Sequence, residues 1–86
     1  MAYRVELTRA AVRQLAALPR SARRRIQAAV ELLSGKPRPP NCKRLKGRLH
    51  EFHRVRTGDY RIVYLIVDDR LVVCVITIAH RKDVYR

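Results

Sequence analysis

Three arginines give this sequence its clearest chemical potential. In the stretch Phe52–Tyr64, FHRVRTGDYRIVY, the pair Gly58-Asp59 is a two-residue signal for a tight hairpin. With that pair as the loop, Thr57 lies opposite Tyr60 and Arg56 opposite Arg61. Strand side chains alternate faces, so Arg54 and Arg56 share a face and Arg61 joins them from the partner strand. Like charges set directly opposite each other destabilise a hairpin, so three grouped guanidiniums imply a negative ligand. The chain closes on Ile78-Ala79-His80-Arg81-Lys82-Asp83-Val84-Tyr85-Arg86, where a final strand runs out into a tip holding His80, Arg81 and Tyr85. Cations with histidines and a tyrosine suit a pentacovalent phosphate, whose charge builds on the non-bridging oxygens. The plainer readings are an exposed strand-end imidazole for His80 and a packing role for Tyr85 in a terminal turn.

Other chemistries find no purchase. The sequence has no glycine-rich phosphate loop, no paired carboxylates at acid/base spacing and no Cys/His cluster for zinc, so no metal or cofactor is expected. Ser21 and Ser34 are the only serines, and both fall in helical context, which argues against a serine hydrolase. The formal charge is +13 and the pI near 11.3, values that point a small domain toward a polyanionic partner. That balance fits ribosomal proteins, nucleases, DNA binders and membrane-surface proteins alike. Residues 1–86 leave room for a single domain with a lean core. Cys42 and Cys74 stand apart without ligand spacing and read as reduced thiols. No apolar run approaches the ~18 residues of a membrane span, and the N-terminus lacks a signal-peptide pattern. A cytoplasmic protein with no membrane partner is the expectation.

The elements that must position the arginines follow from periodicity. Tyr3–Leu7 alternates as a short half-buried strand, and Thr8 is a helix N-cap. Ala11, Leu15 and Leu18, with Val12 beside them, make one helical stripe. Pro19 separates it from a second helix starting near Ser21, whose stripe is Ala22, Ile26, Ala29, Val30 and Leu33. Gly35 and the prolines at 37, 39 and 40 stop that helix. So short a link predicts an antiparallel helical hairpin. Arg20, Arg23, Arg24 and Arg25 cluster at the second helix's start, either as a solvated face or as phosphate contacts. Lys43, Arg44, Lys46 and Arg48 lie in a proline- then lysine-rich connector. Strands follow at Leu49–Arg56, Tyr60–Val67 and Leu71–Ala79. The last two are apolar on both faces, yet the helices can cover only one. The other face is expected to be partly bare, which marks an interaction surface.

Strand, helical hairpin, lysine-rich linker, then R-V-R-T-G-D-Y-R-I-V-Y and a closing I-A-H-R-K-D-V-Y: this order resembles the RelE/ParE toxin superfamily of bacterial toxin–antitoxin modules over nearly the whole chain. The resemblance implies an α+β fold, an N-terminal strand and an antiparallel helical hairpin packed on a mainly antiparallel four-stranded sheet, with the first strand beside the last. In the RelE branch it implies an endoribonuclease that cuts mRNA in the ribosomal A site without a metal. In the ParE branch it implies action on DNA gyrase. A non-catalytic nucleic-acid-binding module is the third reading. The partners implied are the ribosome and mRNA, and a cognate acidic antitoxin held in a toxin–antitoxin hetero-oligomer.

By position, Arg54 matches a lysine that RelE-like enzymes use near the attacking 2′-hydroxyl. Arg61 and Arg81 match the phosphate-side arginines, and Tyr85 the C-terminal tyrosine. Lys43, Arg44, Lys46, Arg48 and Arg56 fall to RNA binding. Phe52 departs from the pattern, standing where a further lysine is expected. A guanidinium is also a poor proton acceptor, so Arg54 is a weak candidate for general base. His80 beside Arg81 is the first choice for that role, and His50 is second. Alternation places His50 on the face of Arg54, and Glu51 and His53 on the other.

Overall fold

The computed structural model describes residues 2–45 and 52–80. β1 (Arg4–Leu7) alternates exposed Arg4 and Glu6 with half-buried Val5 and Leu7. Thr8 caps α1 (Arg9–Ala16) as predicted, its Oγ1 accepting the Ala11 N–H at 3.1 Å. Ala11 is fully buried, and Leu15 and Leu18 pack around the core. Val12, read as part of that stripe, is instead 52% exposed. α1 is only eight residues long and turns its Ala11 side inward, so the position beside the stripe faces solvent. α2 (Arg20–Gly35) follows Pro19 and buries Ile26, Val30 and Leu33. Its end is tied to the start of β1 in both directions. Tyr3 N–H donates to the Ser34 carbonyl at 2.8 Å, and Ser34 Oγ donates to the Tyr3 carbonyl at 2.7 Å.

The remaining strands are β2 (Cys42–Arg44), β3 (Phe52–Thr57), β4 (Tyr60–Val67) and β5 (Val72–His80). The sheet therefore has five strands, in the order β1-β5-β4-β3-β2, with β1 parallel to β5 and every other pair antiparallel. The α+β class and the pairing of first strand with last stand. The additional strand is β2, a three-residue edge inside the connector, paired to β3 by Cys42↔Val55, Lys43↔Arg54 and Arg44↔His53. Residues 49–51, assigned from sequence to the start of β3, lie outside the described residues.

The β3–β4 hairpin has the register that its turn demands, with Thr57↔Tyr60 and Arg56↔Arg61. Gly58 takes φ +61°, a left-handed conformation that glycine adopts without a Cβ clash. Val55, Ile62, Tyr64, Val73, Val75 and Ile78 turn toward the helices and make the core with them. Each such aliphatic side chain contributes about 1.5–3 kcal/mol when fully buried. Tyr64, itself fully buried, donates its hydroxyl to the Pro37 carbonyl at 2.8 Å and so anchors the connector. A β-bulge interrupts the β4–β5 register, which steps from Tyr64↔Val75 to Val63↔Thr77 and leaves Ile76 over. Cys42 and Cys74 are free thiols. Burial, then the Glu6 carboxylate, pushes the Cys74 thiol up, away from nucleophilic use.

At the sheet end away from the hairpin, Asp68 accepts two hydrogen bonds from Arg38, at 3.2 and 2.8 Å, and one from the Tyr3 hydroxyl at 2.7 Å. Arg38 first and Tyr3 second hold its carboxyl down at about 2. Because the folded value lies below the ordinary one, the ionised carboxylate adds stability above the ordinary carboxylate range, and that addition is lost as pH falls through about 2. Asp68→Asn is expected to lower the melting temperature modestly at neutral pH and to flatten its acid limb between roughly pH 4 and 2, where the wild type loses the same contribution. An acid limb of unchanged steepness in that variant would rule the contact out as its source.

Candidate nucleic-acid interface

The β3–β4 register builds the site. Val55 and Ile62 face each other on the helix side, so their neighbours Arg54, Arg56 and Arg61 emerge from the opposite face. Arg56 and Arg61 are direct cross-strand partners. Lys43, paired to Arg54 on β2, adds a fourth cation to that face. Arg56 and Lys43 are exposed, whereas Arg54 and Arg61 are half-buried. Between the cations lies Val63, which pairs with Arg54 on one side and Thr77 on the other. Lys43, Arg54, Arg56 and Arg61 thus share one face of the sheet around half-buried Val63.

The other expected site residues distribute differently. His80 pairs with Tyr60, the two rings meeting edge to face at 5.2 Å, while Arg61 pairs with Ala79. Tyr60 packs against the core, so the His80 imidazole leaves the sheet on the helix side. The first choice for proton acceptor is thus not on the face of Arg54, Arg56 and Arg61; the two groups approach one another only around the sheet's end. Arg44 also parts from Lys43. It pairs with His53, which is buried and stacked on Tyr64 at 5.8 Å. Arg44 and His53 line a cavity of about 570 Å³ with Arg38, Leu65, Ile66, Val67, Asp68 and Asp69. Lys46, Arg48, His50, Glu51, Arg81 and Tyr85 lie outside the described residues.

One positioning contact had no distinct signal in the sequence. Arg25 of α2 reaches the hairpin tip, where its Nη1 stands 2.7 Å from the place a Cβ on Gly58 would take. Of the arginines clustered at the α2 start, this one packs behind the turn that carries Arg56 and Arg61. Gly58 serves twice, admitting the left-handed φ and making room for the guanidinium.

A helical pair lies on one side of the five-stranded sheet and a cationic patch on the other, and comparison with known proteins gives this arrangement a family. The family described as the ParE toxin of type II toxin–antitoxin systems, parDE, matches residues 5–85. The chain belongs to the RelE/ParE superfamily of type II toxin–antitoxin toxins. It is 30% identical over 89 residues to a protein of Methanocaldococcus jannaschii that bears the name toxin RelE1, with 100% of this chain and 98% of the relative covered. Among solved structures it is similar to the RelBE2 toxin–antitoxin complex of Mycobacterium tuberculosis, with TM-score 0.85, 29% identity and 94% and 93% of the two chains covered. It is also similar to the RelE–RelB complex of Pyrococcus horikoshii OT3, with TM-score 0.82, 28% identity and 94% and 97% covered.

Proposed function

We propose that this toxin is a ribosome-dependent endoribonuclease that cuts mRNA in the A site and so stops translation. The observation that carries the reading is the grouping of Arg54, Arg56, Arg61 and Lys43 on the face left open by the helices. In the proposed reaction the RNA 2′-hydroxyl attacks the adjacent phosphorus and the bond from phosphorus to the 5′-oxygen breaks. The 2′ proton passes to a base, and the leaving 5′-oxygen takes up a proton. A 2′,3′-cyclic phosphate and a 5′-hydroxyl result. The nucleophile is already in the substrate, and guanidiniums meet the charge that develops on the non-bridging oxygens, so the chemistry asks for no metal. Arg61 would hold those oxygens. His80 is the nominated base, and since Tyr60↔His80 adjoins Arg61↔Ala79, the scissile group would lie across the end of the sheet. Arg81 and Tyr85 would complete the site from the chain's tip. Lys46 and Arg48 would join Lys43 and Arg56 in holding RNA.

The same reading assigns the protein to the cytoplasm with a cognate antitoxin, consistent with relatives described in complex with RelB. That partner should be acidic where it meets the cationic face. A second reading has its own support, because the family description that matches is that of ParE. By resemblance to that branch, the target would be DNA gyrase and no RNA would be cut. In-vitro translation followed by primer extension, run beside a gyrase supercoiling assay, separates the two. Codon-phased cuts with gyrase untouched are expected, whereas gyrase-linked DNA breaks without RNA cuts would reverse the assignment.

A further inference from the structure

The end of β5 is held from its outer edge by a helix. β1 pairs with β5 only as far as Leu7↔Val75. Beyond that point the exposed edge of β5 would offer unpaired backbone groups, which a fold must cover or satisfy. α1 takes the place of the missing strand with two side chains. Thr8 N–H donates to the Val75 carbonyl at 3.0 Å, and Thr8 Oγ1 donates to the carbonyl of Ile76, the bulge residue, at 2.6 Å. One helical turn and a half further on, Gln14 Oε1 accepts the Ile78 N–H at 2.7 Å and the Thr77 hydroxyl at 3.0 Å.

These contacts bracket the bulge, and the bulge decides what the strand end presents. Val75 faces the core, so strict alternation would send Thr77 and Ala79 to the helix side and Ile78 and His80 to the open face. The extra residue reverses this. Ile78 is 3% exposed in the core, His80 lies with Tyr60, and Ala79 stands beside Arg61. Losing the bulge would exchange the faces of every residue from 77 to 80.

We propose that Gln14 is a positioning residue: with Thr8 it pins the β5 bulge and so fixes which groups at the strand's end stand beside Arg61. This rests on the cleavage reading for its activity readout, but not for its structural one. Gln14→Leu keeps the size and removes the acceptor, while Gln14→Glu keeps an acceptor. In Gln14→Leu the Ile78 amide should lose its protection from hydrogen exchange while core amides such as Val73 keep theirs. Single-turnover cleavage on ribosomes should fall by about 10²-fold, the loss that a misplacement of about 1 Å can cause, with the half-saturating ribosome concentration unchanged. Gln14→Glu should recover both. The proposal is overturned by an Ile78 amide that stays protected in Gln14→Leu. It is overturned equally by full activity despite a deprotected amide, or by a loss that Gln14→Glu does not rescue and that tracks a general fall in melting temperature. If the wild-type chain cuts no RNA, the cleavage reading fails. Growth arrest then replaces cleavage, and toxicity unaltered in a deprotected Gln14→Leu rejects the positioning role.

Discussion

Arg61→Ala is expected to lower the rate of RNA cleavage by about 10²–10³-fold, the usual cost of removing one preorganised charge contact to a transition state. The fold should survive. Arg61 emerges on the face away from the helices, between Arg56 on β3 and Ala79 on β5. Removing one member of a like-charged cross-strand pair should if anything ease the hairpin. Single-turnover cleavage on programmed ribosomes, read beside circular dichroism and thermal melting, separates the two effects. A variant that cuts at the wild-type rate, or one that unfolds, counts against Arg61 as the phosphate-holding group. Arg44→Ala is the useful contrast, since Arg44 pairs with His53 and lines the cavity near Asp68 on the other side of the sheet.

The second large effect is in salt. Each cation that neutralises a phosphate on a single strand contributes about −0.7 to the slope of log affinity against log salt. Lys43, Arg54, Arg56 and Arg61 together predict a slope near −2.8, so affinity for RNA should fall roughly fifty-fold as salt rises fourfold. Replacing Lys43 and Arg56, the two exposed members, by alanine should bring the slope to about −1.4. An antitoxin segment that covers the face should remove most of the dependence and suppress cleavage with it. Such a segment should be acidic, with apolar anchors for the surface around Val63. A salt slope unchanged by the double substitution would move RNA binding off this face.

Several of these conclusions were legible in the chain because local rules sufficed. A two-residue turn at Gly58-Asp59 leaves no freedom in register, so the pairing of Arg56 with Arg61 follows from the turn alone. The spacing of Ile26, Val30 and Leu33 gave the buried face of α2 for the same reason. β2 was hidden because three residues containing two cations carry no alternation that a reader could detect, and its pairing is a backbone matter settled by β3. The face of His80 was hidden by the bulge, because period-two counting fails by one residue after Ile76 and nothing in Val75-Ile76-Thr77 announces the insertion. In the sequence Gln14 is one polar residue on a helix, with no distinguishing signal. Its importance appears only once β1 is seen to stop at Leu7 and leave the β5 edge open.

The account as a whole turns on whether RNA is cut by its own 2′-hydroxyl. End-group analysis of the fragments released from ribosomes tests that directly, using messages with a single 2′-deoxy nucleotide at the cut position as the control. The expected result is a 2′,3′-cyclic phosphate on the upstream fragment, a 5′-hydroxyl on the downstream one, and no cleavage at the 2′-deoxy position. A 5′-phosphate product, or cleavage that persists at the 2′-deoxy nucleotide, would contradict the mechanism.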